Sequence, residues 1–207
     1  MEDTRGPVPA GEHDFERRFG GLRRLYGESG ARRIFGAHAV VVGVGGVGSW
    51  AAEALARSGV RRLSLIDLDH VAESNINRQV HATTPALGMA KVQAMRARIG
   101  QIHPGCEVDG IEDFVSATNW SELARQLEID DPDKAVVVID ACDQVRAKLA
   151  MAAWALDRHT LLVTVGAAGG KRHAQAIETG DLAEVTHDPL LAQLRQRLRK
   201  HHGAPRT

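Results

Sequence analysis

Gly43, Gly45, Gly46 and Gly48 interrupt the chain directly after the apolar run Val40-Val41-Val42 and directly before the apolar-periodic stretch Ser49 to Arg57. In that order they suit one task above others, which is holding the phosphates of a nucleotide. A strand that turns sharply into a helix needs Gly43 for an unusual backbone angle, Gly45 or Gly46 so that backbone can approach a phosphate, and Gly48 so that helix and strand pack closely. The open amides of the helix's first turn then face the anion. Written as G-x-G-x-x-G, Gly43 to Gly48 form a nucleotide fingerprint, and a second apolar run, Leu63 to Ile66, ends at Asp67, where a ribose-binding carboxylate is expected. The blander alternative, glycines that serve only a turn and its packing, leaves that acid unexplained. The fingerprint by itself does not say which nucleotide is bound.

Further groups with chemical potential follow in order. Asp67-Leu68-Asp69 leads into Ser74-Asn75-Ile76-Asn77-Arg78-Gln79, a stretch too polar and too aperiodic for a core helix. It reads either as a capped surface turn or as a ligand loop, because loops just past the carboxyl ends of strands in an open sheet are where ligands bind. Lys91 falls in the first turn of the next predicted helix, Leu87 to Ile102, where a lysine opposes the helix dipole and points to a nearby negative ligand. Asp140 and Asp143 stand at the end of the β-branched run Lys134 to Ile139. An N-cap role for Asp143 accounts for only one of these two acids.

The elements that must position these groups alternate strand and helix. Strands are expected at Val40 to Val42, Leu63 to Ile66, Cys106 to Ile111, Lys134 to Ile139, Leu161 to Val165 and near Gln175 to Glu178. Helices are expected at Ser49 to Arg57, Leu87 to Ile102, Trp120 to Leu127, Val145 to Asp157 and Asp188 to Lys200. This pattern predicts an α/β fold: a Rossmann-like, doubly wound, mainly parallel sheet with helices on both faces. A length of 207 residues suits one such domain. Residues 1–13 read as a disordered leader and 14–207 as the domain.

Charge and cysteine usage narrow the function. The formal net charge is zero, so no global attraction to nucleic acid or membrane exists and any such contact must be local. The basic stretches are Asp14 to Phe35, which holds Arg17, Arg18, Arg23, Arg24, Arg32 and Arg33, and the last helix, with Arg195, Arg197, Arg199 and Lys200 on its polar side. Glycines at 20, 21 and 27 predict two short helices in the first of these, which reads as a solvated face or as an arm delivering an arginine to a phosphate. Cys106 and Cys142 are far apart and no C-x-x-C occurs, which supports neither a disulfide framework nor a cysteine zinc site and fits a reducing cytoplasm. No apolar run approaches the ~20 residues of a membrane span.

Together these residues resemble the ubiquitin-activating-type adenylyltransferases of the ThiF, MoeB and HesA kind, over about Arg18 to Lys200. The resemblance rests on Gly43 to Gly48, Asp67 with Asp69, S-N-x-x-R-Q at Ser74 to Gln79, Lys91, and Asp140 with Asp143. Arg18-Phe19-Gly20-Gly21, Arg24-Leu25-Tyr26-Gly27 and Gly166 to Gly170 look most like the bacterial branch that dehydrates threonylcarbamoyladenosine in tRNA. What the resemblance implies is a ThiF-type, ATP-binding domain with ATP and Mg2+ as cofactors and tRNA as partner. The glycine turn would hold phosphates and Asp67, with Asp69 and Ser74 nearby, the ribose side. Asn75, Arg78 and Lys91 would neutralise charge as pyrophosphate leaves, and Asp143 would hold the metal. Arg18 or Arg24 would reach across a homodimer, and the basic tail would contact tRNA phosphates.

Members of that family continue past the position matching Lys200 with a further loop, strands and a helix, so the expected fold is C-terminally short. Three other readings stay open: adenylation of a sulfur-carrier protein's C-terminus with a sulfur-transfer protein as partner, an NAD-dependent oxidoreductase, and a nucleotide-binding protein without turnover. The first commonly adds paired zinc-binding cysteines, which this sequence lacks. The second accounts for Gly43, Gly45, Gly48 and Asp67 but not for Asn75, Arg78, Lys91 and Asp143.

Overall fold

Short β-branched runs bounded by polar or glycine residues become strands here, and the longer apolar-periodic stretches between them become helices. The computed structural model describes residues 14–131 and 134–206; the expected leader, 1–13, lies outside them. Five strands, β1 (His38–Val42), β2 (Arg62–Ile66), β3 (Glu107–Ile111), β4 (Val136–Asp140) and β5 (Leu161–Thr164), form one sheet in the order β3-β2-β1-β4-β5. All four pairings are parallel, with Val42 opposite both Ile66 and Asp140. The chain reverses its direction of travel across the sheet at β1 and β4, so the crevice outside their carboxyl ends is the switch point where such sheets bind ligands.

Alternation along β1 divides the core. Ala39 and Val41 face a cluster with Leu63, Leu65, Val92, Met95 and Ile99, built by α3 (Gly48–Arg57) and α4 (Lys91–Ile102). Val40 and Val42 face the opposite cluster with Trp120, Val138 and Met151, built by α5 (Trp120–Gln126) and α6 (Val145–Arg158). Each fully buried valine, leucine, isoleucine or methionine among these contributes roughly 1.5–3 kcal/mol. Helix α7 (Pro189–His201) lies on α6 through Leu194 and Leu198 against Ala152, and Asp188 caps it by accepting from Leu191 N–H at 3.0 Å. No helix among the described residues is long and apolar enough to cross a membrane.

Several sequence expectations are corrected. Gln175 to Glu178 is not a strand; it is exposed chain with a 3-10 turn at Ala174–Ala176, and β5 is the sheet's edge among the described residues. The helix expected from Leu87 starts at Lys91, because a turn with Gly88 at φ 82° precedes it, which leaves Met89 exposed rather than on the buried face. The arginine-rich stretch forms α1 (Phe15–Phe19) and α2 (Leu22–Gly36), the latter broken at Gly27 (φ 70°, ψ 171°). Asp143 does not cap α6; Gln144 holds that position with no side-chain bond.

Candidate active site

The glycine turn sits at the switch point and its glycines are unequal. Gly43 has φ 87°, and a Cβ there would lie 2.9 Å from Cys142 N and 3.0 Å from Ala141 C, so the turn is pressed against the loop after β4. A Cβ on Gly48 would fall 1.8 Å from Gly43 O, which fixes how closely α3 begins behind the turn. Gly45 faces open space, whereas Gly46 is covered by the Arg78 stem, whose Cγ and Cδ a Cβ would meet at 3.4 Å. The start of α3 carries no side-chain cap. Ser49 N–H donates back to Gly45 O at 3.1 Å and Ala51 N–H to Val47 O at 3.0 Å, so only the remaining amides of the turn and first helical residues can face an anion.

Asp67, at the end of β2, binds the turn itself. Its Oδ2 accepts from Val44 N–H at 2.6 Å and its Oδ1 from Asp69 N–H at 2.9 Å. Lys91 donates to Asp69 Oδ2 at 2.7 Å and lies 3.9 Å from Asp67 Oδ1. The lysine is buried apart from a small exposed margin and the Asp69 side chain is largely exposed, so one cation at the first turn of α4 gathers both acids. Ser74 contributes its backbone carbonyl, which accepts from Arg78 Nη1 at 2.7 Å, and Asn75 accepts from Ala72 N–H at 3.0 Å to cap its own turn. Trp50 of α3 donates to the Arg78 carbonyl at 2.9 Å, which clamps this polar loop over the helix.

On the other side of the turn the two acids after β4 part ways. Asp140 is fully buried: Lys148 of α6 donates to its Oδ1 at 3.1 Å, Thr164 to its Oδ2 at 2.7 Å, and Cys142 N–H to Oδ1 at 3.3 Å. Asp143 is exposed, and its carboxylate has no hydrogen-bond or ion-pair partner among the described residues. The intervening Cys142 thiol donates to Asp140 Oδ1 at 3.1 Å and is pushed up to about 12 by burial and by that carboxylate, so it is no nucleophile at neutral pH. One exposed carboxylate beside the glycine turn fits the demands of magnesium, which takes one or two carboxylates and completes its shell with phosphate oxygens and water. No group of three metal-ligating side chains occurs among the described residues.

Gly43, Gly45, Gly46, Gly48, Asp67, Asp69, Ser74, Asn75, Arg78, Lys91 and Asp143 thus converge at one edge of the sheet. Arg18 and Arg24 do not join them within the chain. Arg18 donates to the Ile102 carbonyl at 2.7 Å, beside His103 at the sheet's amino edge, and Arg24 is exposed next to Arg23, whose guanidinium lies over Phe35. In the tail, Arg195 donates to the carbonyls of Leu182 and Val185 and Arg199 to that of Ala183, leaving Arg197 and Lys200 exposed. Sequence reasoning missed Lys148 and Asp188. The first had a legible signal: it shares the buried stripe of α6 with Met151, Ala152 and Ala155. Asp188 pins the loop after β5 by accepting from Ala167 N–H and from Lys171, each at 2.9 Å.

The ThiF family matches residues 18–200. The tRNA threonylcarbamoyladenosine dehydratase of Escherichia coli is 45% identical over 91% of this chain and 68% of its own length. That of Haemophilus influenzae is 41% identical over 92% of this chain and 70% of its own length. A crystal structure of the E. coli enzyme, TcdA, in complex with ATP superposes with a TM-score of 0.82 at 45% identity, covering 91% of this chain and 74% of that one.

Proposed function

This chain belongs to the ThiF family, and from that premise we propose that it is an ATP-dependent tRNA threonylcarbamoyladenosine dehydratase. The observation that carries the reading is that the open glycine turn, the Asp67–Lys91 group and Asp143, exposed and without a partner among the described residues, flank one crevice. It is supported by the 45% identity to an enzyme of that name. ATP enters with its phosphates at Gly45 and the first turn of α3 and its ribose toward Asp67. Arg78 and Lys91 face the charge that grows as pyrophosphate departs. Asp143 would hold magnesium, which would neutralise phosphate charge.

The chemistry follows from the substrate. A carboxylate is a poor electrophile until its oxygen becomes a good leaving group. The threonyl carboxylate of the modified adenosine attacks the α-phosphorus of ATP, and pyrophosphate leaves. The neighbouring ureido group then forms a bond to the acyl carbon, the bond to AMP breaks, and the ureido proton passes to solvent. The net change in the nucleoside is loss of one water. Because the attack is intramolecular, its effective concentration is already high and no enzyme nucleophile is needed, which agrees with the inert Cys142 thiol.

The exposed Arg197 and Lys200 supply local, salt-sensitive contacts to tRNA phosphates. A cytoplasmic location suits that substrate. Arg18 or Arg24, remote from the crevice of their own chain, serve the partner's site in a homodimer. Mixing an arginine variant with an Asp143→Ala variant then restores part of the activity through hybrid sites, and verified heterodimers without rescue count against the arm.

The deciding experiment incubates the protein with ATP and magnesium, with and without tRNA carrying threonylcarbamoyladenosine, and measures AMP together with the mass of the nucleoside. AMP release that depends on this tRNA, with loss of one water from the nucleoside, is the expected result. AMP release without that mass change transfers the proposal to another carboxylate, such as a sulfur-carrier C-terminus with its sulfur-transfer partner.

A further inference from the structure

The buried charge behind the site has no part in the reaction as derived above. Lys148 and Asp140 are both fully buried. Taking such ions out of water costs several kcal/mol each, and a well-packed apolar pair of similar volume is often as stable or more so. Packing alone gives no reason for a lysine here, since its neighbours on the helix, Ala147, Met151 and Ala152, are apolar.

The partners of Lys148 supply one. Its Nζ donates to Asp140 Oδ1 at 3.1 Å and to Val165 O at 2.8 Å, with Asp140 O and Thr164 Oγ1 each at 3.4 Å. These atoms end two adjacent strands, so one ammonium ties the loop after β4 to the loop after β5. Through Asp140 the tie continues to the backbone N–H of Cys142, the residue before Asp143, and that same backbone is pressed against Gly43. Through Val165 it continues to Gly166, where a Cβ would fall 2.5 Å from an Asp188 carboxylate oxygen. Between the magnesium-facing acid and the glycine-rich loop across the crevice, Lys148 is the shared support.

We infer that Lys148 is a positioning residue: acting through Asp140, it holds the Cys142–Asp143 backbone against the glycine turn so that Asp143 meets magnesium and nucleotide phosphate together. This rests on the adenylating function proposed above. Outer groups that orient a metal ligand typically contribute 10–100-fold to metal affinity.

The test measures ATP affinity by calorimetry with and without magnesium, and thermal unfolding by circular dichroism. Lys148→Met combined with Asp140→Asn removes both charges and the link to Val165 while leaving no buried ion unpaired. The expected result is ATP affinity without magnesium within about twofold of the parent chain and a loss of about tenfold or more in the gain that magnesium brings. Lys148→Arg, which keeps the charge, recovers part of that gain. A folded double variant with the full gain from magnesium assigns Lys148 to stability alone and overturns the inference. If the double variant does not melt cooperatively, Thr164→Val takes its place, since it removes a second group holding Asp140 without stranding a charge; an unaltered magnesium gain there overturns the inference equally. A parent chain that binds no ATP overturns the adenylating reading itself, a result distinct from ATP binding whose magnesium gain survives in the variants.

Discussion

Two strand ends flank the glycine turn, and both carry an acid, a short spacer and a second acid: Asp67 with Asp69 after β2, Asp140 with Asp143 after β4. The structure binds their first acids differently. At the β2 end the first acid lies at the lip of the crevice, bound to the turn's own Val44 amide, and the cation it shares with Asp69 comes from the first turn of α4. At the β4 end the first acid is sealed, paired with Lys148 from inside α6, and only the second faces solvent. One corner ties its first acid to the turn's backbone and leaves Asp69 exposed; the other seals its first acid against a buried lysine and leaves Asp143 exposed. The same local pattern therefore has two meanings, decided by where the nearest cation enters.

The largest expected effect breaks the symmetry at the outer acids. Asp143→Ala lowers magnesium-dependent AMP formation by roughly a hundredfold or more, the scale on which removal of one transition-state contact acts. Its melting temperature stays unchanged, because the carboxylate has no protein partner among the described residues to lose. Retained turnover removes Asp143 from the mechanism.

The inner acids come next. Asp140→Ala strands Lys148 in the interior and costs about 3–5 kcal/mol, visible as a large fall in denaturation midpoint. Asp67→Ala leaves Lys91 paired with Asp69. Its stability cost is about 1.5–3 kcal/mol, from the Val44 and Asp69 amides it leaves unpaired, and its main effect is weaker ATP binding. Equal destabilisation by the two substitutions refutes the contrast between scaffold and lip.

Acid sharpens the same comparison. His81 is buried in front of α4 with no hydrogen-bond partner for either ring nitrogen among the described residues, and burial, then Lys91 and Arg98, push it down to about 4. His38, under Ser64 at the start of β1, is pushed to about 4 chiefly by burial. The folded state resists a proton that the unfolded chain takes up near pH 6.5. Stability is thus complete above that pH and declines as the pH falls toward 4. A flatter decline for His81→Leu in pH-dependent denaturation assigns part of it to the Asp67 side; an identical profile acquits that histidine.

Much of this was legible in local pattern. Gly43 to Gly48 between an apolar run and a periodic stretch can scarcely be anything but strand, turn and helix, and the structure keeps that reading to within two residues. Where legibility failed, the cause was sometimes a neighbouring residue and sometimes a distant one. Gln175 to Glu178 has strand-like composition but does not add to the β5 edge, and Met89 fits a helical stripe that Gly88 interrupts. Arg195 and Arg199 look like a solvated basic face, yet they close on the carbonyls of a loop ten or more residues earlier.

The sequence by itself determined which chemical groups stand at strand ends and in what order, because glycine spacing, apolar alternation and the acids after each run are properties of a few consecutive residues. Only the tertiary structure decided which acid is sealed and which is offered, and which arginines stay free of the crevice. Burial and ion pairing depend on a partner arriving from another element, as Lys148 does from α6, and no local pattern around Asp140 encodes that arrival.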